Sequence, residues 1–131
     1  NDPSTAHWGE MLSTTTNAKG CGGAVLDGGV RDVNAILRLG FPVFARYRTP
    51  ADIRGRWRYI EVNEAIRIGE TAIQPGDWAV ADSNGVVVVP KELVFEVLVL
   101  SEKIVEIEKK IWQELKSGIS PIEVFKNYGR F

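Results

Sequence analysis

The stretch Asp27-Gly28-Gly29-Val30-Arg31-Asp32 lies between an apolar run, Gly23 to Leu26, and an amphipathic run, Val33 to Leu37. The apolar run predicts a buried strand, and the two glycines predict a sharp turn with positive φ. Arg31 and Asp32 then stand at the start of a helix. In α/β proteins such a position, at the open end of a sheet, is where ligands bind. The stretch therefore predicts an α/β fold with a cation and a carboxylate at a strand end.

Arg31 and Asp32 suit two kinds of ligand. A guanidinium can hold a carboxylate or a phosphate through two parallel hydrogen bonds. A carboxylate can bind a hard divalent cation. The alternative is a simple ion pair at a helix start, stabilised by the helix dipole. The dipeptide alone leaves both interpretations open.

The composition fits one globular domain. The chain has 131 residues, of which 44% are hydrophobic, enough for a core of its own. Its net charge of -1, from 16 basic and 17 acidic side chains, predicts no general attraction to nucleic acid or to an anionic membrane. The single cysteine, Cys21, excludes an internal disulfide and a cysteine-based zinc cluster. No apolar run is long enough to span a bilayer, so we expect a soluble, cytoplasmic protein.

The order of predicted elements supports a layered α/β sheet. Helices are expected from Glu10 to Lys19 and from Asp32 to Arg38, each followed by an apolar strand. The region from Ile60 to Pro90 is predicted to be β structure. Its unbroken valine run, Val86 to Val89, predicts a strand that is buried on both faces. A long helix is expected at about 91–117. Its apolar stripe predicts a docking face for the domain or for a neighbouring subunit.

Glu10 falls in the first turn of the first predicted helix. The backbone N–H groups of Met11 and Leu12 would be free donors there, which makes an anion site. The alternative is that Glu10 only complements the helix dipole. His7, the single histidine, either faces this site as a proton shuttle or is simply exposed or hydrogen-bonded, the more frequent case for a lone histidine.

An arginine-rich segment with aromatic residues follows the second predicted strand. Basic residues interleaved with aromatics can bind single-stranded nucleic acid. However, the segment from Arg54 to Tyr59 alternates with a period of two, as a strand with one solvated face does. We favour a solvated or ion-paired face over a subunit or substrate contact, and both over RNA. The arginines are Arg46, Arg48, Arg54, Arg56 and Arg58.

Several motifs together resemble the RraA-like family. They are Trp8-Gly9-Glu10, then 20 residues, then Arg31-Asp32, followed by Gly40-Phe41-Pro42-Val43-Phe44, Pro75-Gly76-Asp77 and Asp82-Ser83-Asn84-Gly85-Val86. This family contains 4-hydroxy-4-methyl-2-oxoglutarate aldolases, some oxaloacetate decarboxylases and the ribonuclease-regulating protein RraA. The resemblance implies a swivelling β/β/α domain that assembles as a homotrimer or homohexamer with active sites between subunits.

The resemblance also implies roles for particular residues. Asp32 would coordinate Mg²⁺ or Mn²⁺, Arg31 would bind the pyruvyl part of the substrate, and Glu10 would hold a metal-bound water. The backbone amides of Met11 and Leu12 would receive the substrate carboxylate. A neighbouring subunit would supply a carboxylate that reaches the metal through water, with Glu108 the best match and Glu106 the second. Two positions depart from the family, since Glu10 stands where the aldolases have Asp and Trp112 stands where the helix often has Arg.

Together these features predict a divalent-metal-dependent class II lyase that cleaves pyruvate-containing 2-keto acids. A Schiff-base aldolase would need a buried lysine, whereas the lysines fall at helix ends or on polar helix faces. The alternative function is a non-catalytic RraA-type regulator that binds an RNA-processing enzyme. Residues 1–131 would form the C-terminal part of a single RraA-like domain. We expect the N-terminal portion of that domain to be absent from this sequence, and a separate chain could supply it.

Overall fold

The computed structural model describes residues 3–58 and 60–130. The chain divides into two compact units, residues 1–88 and residues 89–131, and each is described by itself. Within the described residues, no helix has the length and apolar character needed to cross a membrane. The prediction that residues 1–131 belong to a single domain stays a prediction.

The first unit alternates strands and helices and then becomes all β. Its elements are β1 (Ala6–Trp8), α1 (Glu10–Ala18), β2 (Ala24–Val25), β3 (Gly29–Val30), α2 (Val33–Leu39), β4 (Val43–Phe44), β5 (Tyr47–Arg48), β6 (Ile66–Ile68), β7 (Thr71–Ile73), β8 (Trp78–Asp82) and β9 (Gly85–Val89). β1, β3 and β5 form a parallel sheet in the order β1-β3-β5. β2 and β4 form a second parallel pair, β6 and β7 pair antiparallel, and β8 pairs with β9. The predicted α/β class is confirmed.

The inter-strand hydrogen bonds of the two parallel sheets form one continuous series. The N–H of Ala24 donates to the carbonyl of Pro42 at 2.9 Å, and the N–H of Arg46 donates to the carbonyl of Gly28 at 3.0 Å. Further along, the N–H of Thr49 donates to the carbonyl of Val30 at 3.1 Å. The hydrogen bonds therefore continue from the β2–β4 pair into the β3–β5 pair. Within the stretch that was predicted to turn, the chain bends at Asp27 and Gly28 and then continues as β3.

The prediction that Gly28 and Gly29 turn with positive φ is wrong, although the chain does bend at Asp27 and Gly28. Neither glycine has a positive φ. A Cβ atom on Gly28 would lie 2.2 Å from Nδ1 of His7, and one on Gly29 would lie 2.5 Å from the ring of Tyr47 and 2.7 Å from the carbonyl oxygen of Thr5. These two positions need glycine because atoms of neighbouring segments occupy the space, not because the backbone has a positive φ.

The two helices of the first unit begin and end close to the predicted residues. α1 starts at Glu10 and ends one residue before the predicted Lys19, and α2 is bounded by Asp32 and by Gly40 with a φ of 71°. Trp8, in β1, contacts α1 and the segment that follows α2. Its Nε1 donates to the buried Ser13 hydroxyl at 2.7 Å, and its ring stacks on Phe41 with the ring centres 6.4 Å apart.

Two predictions in the later part of this unit are corrected. Val87 in β9 is 64% exposed, so in the part of the chain that the structure describes the valine strand is not covered on both faces. Residues 54–56 form a turn, with a φ of 73° at Gly55, where the alternating strand was expected. Tyr59, the last residue of that predicted strand, lies outside the described residues.

The second unit is helical. A 3-10 turn (Lys91–Leu93) leads into α3 (Val94–Lys116), and α4 (Pro121–Tyr128) follows. The Ser120 hydroxyl caps α4 by accepting the N–H of Ile122 at 3.3 Å. Ile111 and Val124 are buried in this unit, whereas the start of the predicted apolar stripe is exposed, with Leu93 at 46%. The docking role of that stripe stays a prediction.

Candidate functional site

Three segments that follow parallel strands come together at one edge of the sheet. Glu10 follows β1, Arg31 and Asp32 follow β3, and Asp52 follows β5. The N–H of Arg31 donates to the carbonyl of Trp8 at 2.9 Å, which fixes the end of β3 against the end of β1. Because parallel strands place their carboxyl ends at the same edge, these side chains meet there.

The carboxylate of Asp32 caps a helix that is not its own. Its Oδ2 accepts the N–H of Glu10, the first residue of α1, at 3.2 Å and lies 3.5 Å from Nε of Arg31. The residue before α1 is Gly9, which has no side chain to cap the helix. A Cβ on Gly9 would lie 2.7 Å from the same carboxylate oxygen. Glycine at this position thus lets a distant carboxylate satisfy one of the orphan donors of α1.

The backbone of Asp32 has a conformation that residues other than glycine seldom adopt. Its φ of 58° and ψ of 32° lie in the left-handed region, where a residue other than glycine costs about 1–2 kcal/mol. Two hydrogen bonds hold it there, because its carbonyl accepts the N–H groups of Ala35 at 3.0 Å and Ile36 at 3.1 Å. Backbone strain of this kind is characteristic of functional sites.

Arg31 is held on two sides. Its Nε faces Asp32, and its Nη1 lies 3.2 Å from Oδ2 of Asp52. The other oxygen of Asp52 accepts the N–H of Arg54 at 2.8 Å. The hydrogen bond from this N–H and, to a smaller extent, the hydrogen bond from the guanidinium of Arg31 lower the pKa of the Asp52 carboxyl group. The sequence analysis missed Asp52, because only the alignment of β5 beside β3 brings it to this edge.

The predicted anion site lies beside these residues. Met11 and Leu12 are exposed, at 81% and 48%, in the first turn of α1. No described residue outside the helix is seen to accept their N–H groups. Both residues line a cleft of about 60 Å³ together with Gly9, Arg31 and Asp32. The structure therefore brings together five of the predicted site residues, Glu10, Met11, Leu12, Arg31 and Asp32.

Glu108 and Glu106 lie on α3 in the second unit. Oε1 of Glu108 is 3.8 Å from Nη2 of Arg130. Glu106 accepts a hydrogen bond from Nζ of Lys109 at 2.6 Å, and this ammonium lowers the pKa of Glu106. The predicted contact of either carboxylate with the metal of a neighbouring subunit stays a prediction.

His7 and Arg46 have structural partners. His7 belongs to β1 rather than to a loop, and its Nδ1 accepts the N–H of Gly29 at 3.2 Å. The hydrogen-bonded alternative for His7 is therefore the one that the structure supports. Arg46 forms an ion pair with Asp27, which lowers the pKa of the Asp27 carboxyl group. Through this ion pair Asp27, which follows β2, is joined to Arg46 in the segment that follows β4.

The donor set at this edge fits a weakly enclosed divalent cation. Among the described residues, no group of three or more His, Cys, Asp or Glu side chains could enclose a metal ion. Mg²⁺ does not need such a cage, since it keeps several waters and binds one or two carboxylates together with oxygens of the substrate. The side chain of Asp32 is 43% exposed. The contacts of its carboxylate with Glu10 and Arg31 both use Oδ2, so Oδ1 takes part in neither of them. The carboxylates of Asp32 and Asp52 both face the guanidinium of Arg31, so these three side chains together carry one net negative charge.

Comparison with other proteins gives matches over most of the chain. The family model described as RraA-like, Aldolase/RraA, matches residues 1–88. The uncharacterized protein MJ0644 of Methanocaldococcus jannaschii is 40% identical over 114 residues, which cover 87% of this chain and 54% of that protein. A putative 4-hydroxy-4-methyl-2-oxoglutarate aldolase of Halalkalibacterium halodurans is 36% identical over 83 residues, covering 63% of this chain and 39% of that protein. This chain thus spans about half the length of its curated relatives, or less.

Solved structures share this fold, and two of them illustrate the range of similarity. An uncharacterized protein from Pseudomonas syringae pv. tomato superposes with a TM-score of 0.89 at 29% identity, over 94% of this chain and 62% of that one. The RNA-processing inhibitor RraA from Thermus thermophilis superposes with a TM-score of 0.61 at 26% identity, over 68% of this chain and 54% of that one.

Proposed function

This chain belongs to the RraA-like family, and from that membership we propose that it is a divalent-metal-dependent carbon–carbon lyase acting on pyruvate-containing 2-keto acids. The reaction is a retro-aldol cleavage of the 4-hydroxy-4-methyl-2-oxoglutarate type, the decarboxylation of oxaloacetate, or both. Relatives named putative aldolases support the class of reaction. By the same family membership, we propose that the protein works as a homotrimer or homohexamer.

The proposal rests mainly on one observation, that the side chains of Arg31 and Asp32 are both held in place beside the first turn of α1. A docking surface needs neither a strained aspartate nor a guanidinium held by two carboxylates. The net negative charge of the cluster supports metal dependence, because an anionic 2-keto acid would be repelled without a cation to offset it. We propose that Asp32 holds Mg²⁺ or Mn²⁺, assisted through water by Glu10 and by Glu108 of a neighbouring subunit.

Each residue then has a role that its position supports. The N–H groups of Met11 and Leu12 receive the substrate carboxylate at the positive end of the helix dipole. Arg31 offsets the negative charge that develops on the keto oxygen as the carbon–carbon bond breaks. When bound, the metal supplies a Lewis acid for the same charge. Glu10, acting through a water, accepts the proton of the C4 hydroxyl in the retro-aldol reaction. Decarboxylation of oxaloacetate needs no such base, so one site serves both reactions.

The test is pyruvate release from 4-hydroxy-4-methyl-2-oxoglutarate and from oxaloacetate with Mg²⁺, with Mn²⁺ and with EDTA. We expect metal-dependent turnover that EDTA abolishes. Arg31→Ala should lower kcat/KM by about 10²- to 10³-fold, the usual effect of losing a group that stabilises developing charge. The matched control is Arg38→Ala, an exposed arginine of α2, which should retain full activity. Turnover that survives EDTA, or full activity in Asp32→Ala, would refute the site.

A second candidate is a non-catalytic RraA-type regulator that binds an RNA-processing enzyme. The similarity to the RNA-processing inhibitor RraA favours it. The same assay separates the two candidates, because a regulator releases pyruvate from neither substrate even when it is correctly assembled. Inhibition of a purified ribonuclease by the protein, unaffected by Asp32→Ala, would support the regulator.

A further inference from the structure

The segment that follows β5 is fixed to both neighbouring strands. The N–H of Thr49 donates to Val30 in β3 at 3.1 Å, and the carbonyl of Ala51 accepts the N–H of Ala6 in β1 at 3.0 Å. The N–H of Ala51 also donates to the Thr49 hydroxyl at 3.3 Å. The next residue, Asp52, therefore extends from a backbone that the sheet holds in place.

The carboxylate of Asp52 connects this backbone to the guanidinium of Arg31. Oδ1 accepts the N–H of Arg54 at 2.8 Å, while Oδ2 lies 3.2 Å from Nη1 of Arg31. With Nε of Arg31 facing Asp32 at 3.5 Å, two of its three nitrogens have carboxylate partners. Among the described residues, Nη2 has no such partner, so this part of the guanidinium is left for a ligand.

We propose that Asp52 is a positioning residue that orients the guanidinium of Arg31 toward the carboxylate and keto oxygen of a 2-keto acid. The inference rests on the proposed function, since it assigns Arg31 to substrate binding. Asp52 is 59% exposed, and an ion pair this exposed adds little to stability. Its effect should therefore be seen in binding and catalysis rather than in folding.

A positioning role and a purely electrostatic role predict opposite results. If Asp52 contributed only its charge, Asp52→Asn would make the cluster less negative and would tighten the binding of an anion. If Asp52 orients Arg31, the same variant frees the guanidinium to adopt other rotamers and weakens that binding. Misplacement of a binding group by about 1 Å can cost as much as 10²-fold in rate. We therefore expect Asp52→Asn to lower kcat/KM for oxaloacetate by about 10-fold or more.

Asp82→Asn is the matched control. Asp82 is the last residue of β8 and likewise accepts the N–H of the residue two positions ahead, at 2.7 Å from Asn84, but among the described residues it forms no ion pair with an arginine. Both substitutions keep one side-chain oxygen for this N–H and replace the other oxygen, with the charge, by an amide NH2 group. We expect Asp82→Asn to change kcat/KM less than about 2-fold, as for a site away from the chemistry.

The experiment measures kcat and KM for oxaloacetate, and the Kd of pyruvate by calorimetry with saturating MgCl₂, for the wild type and both variants. We expect weaker pyruvate binding in Asp52→Asn, partial recovery in Asp52→Glu, and no further loss when Asp52→Asn is added to Arg31→Ala. Pyruvate binding in Asp52→Asn as tight as in the wild type, or tighter, overturns the positioning role while leaving the proposed function intact. A wild-type protein that neither binds pyruvate nor turns over either substrate refutes the proposed function, and this inference with it.

Discussion

Replacing Gly28 with alanine should destabilise the first unit by about 2–4 kcal/mol. The new Cβ would lie 2.2 Å from Nδ1 and 2.6 Å from Cε1 of His7. Carbon atoms in contact rest about 3.5–4.0 Å apart, so the imidazole must move by more than 1 Å. That movement breaks its hydrogen bond with the N–H of Gly29, worth about 1 kcal/mol. Overpacking a filled space costs about 1–3 kcal/mol more.

The assay is urea denaturation followed by tryptophan fluorescence, with Gly22→Ala as the control. A Cβ on Gly22 would meet nothing within 4 Å, and the residue has no positive φ. This control should therefore be neutral or stabilising by about 0.4–1 kcal/mol, through the entropy of the unfolded chain. Adding His7→Ala to Gly28→Ala should recover the part of the loss caused by overlap. Equal unfolding free energies for Gly28→Ala and Gly22→Ala would show that His7 does not occupy the space beside β3.

Three further predictions concern the site and the second unit. Gly9→Ala should push the Asp32 carboxylate off the first turn of α1 and lower kcat/KM by about 10- to 100-fold in the pyruvate-release assay, and activity equal to the wild type would contradict the close approach. Ser120→Ala removes the cap of α4 and should cost about 1 kcal/mol of unfolding free energy by denaturant titration. The Tyr128 hydroxyl donates to Glu114 at 2.7 Å, which raises the pKa of Tyr128 above its usual 10.0. The stability that this bond adds is present below pH 10 and is lost as the pH rises through the raised pKa. The difference in unfolding free energy between the wild type and Tyr128→Phe should therefore shrink with increasing pH.

The sequence allowed the helix starts to be predicted, because local signals determine them. The apolar period and the flanking glycines place α1 and α2 within a residue or two of their observed bounds. The strand bearing Gly28 and Gly29 was misinterpreted for a physical reason. Composition does not distinguish a glycine needed for its torsion angles from one needed for space, and only the packed neighbours His7 and Tyr47 separate the two cases.

The candidate site was partly predictable for a similar reason. Glu10, Arg31 and Asp32 each stand beside a local signal, a helix start, so they could be named from the sequence. Asp52 has no such signal, because it follows a two-residue strand within the arginine-rich segment, far from any predicted helix start. Its position becomes evident only when β5 is known to run parallel to β3.

The cap of α1 has a consequence for the order in which the molecule assembles. The first N–H of this helix is satisfied by a carboxylate 22 residues further along the chain. The segment of α1 therefore cannot supply this cap itself, and the cap forms only once Asp32 has been brought beside Glu10. Amide hydrogen exchange at Glu10 should report this step directly, since its protection depends on tertiary structure and not on helix formation alone. The first turn of α1, whose amides would receive a ligand, is therefore joined to Asp32 only when the two strands that carry these segments lie side by side.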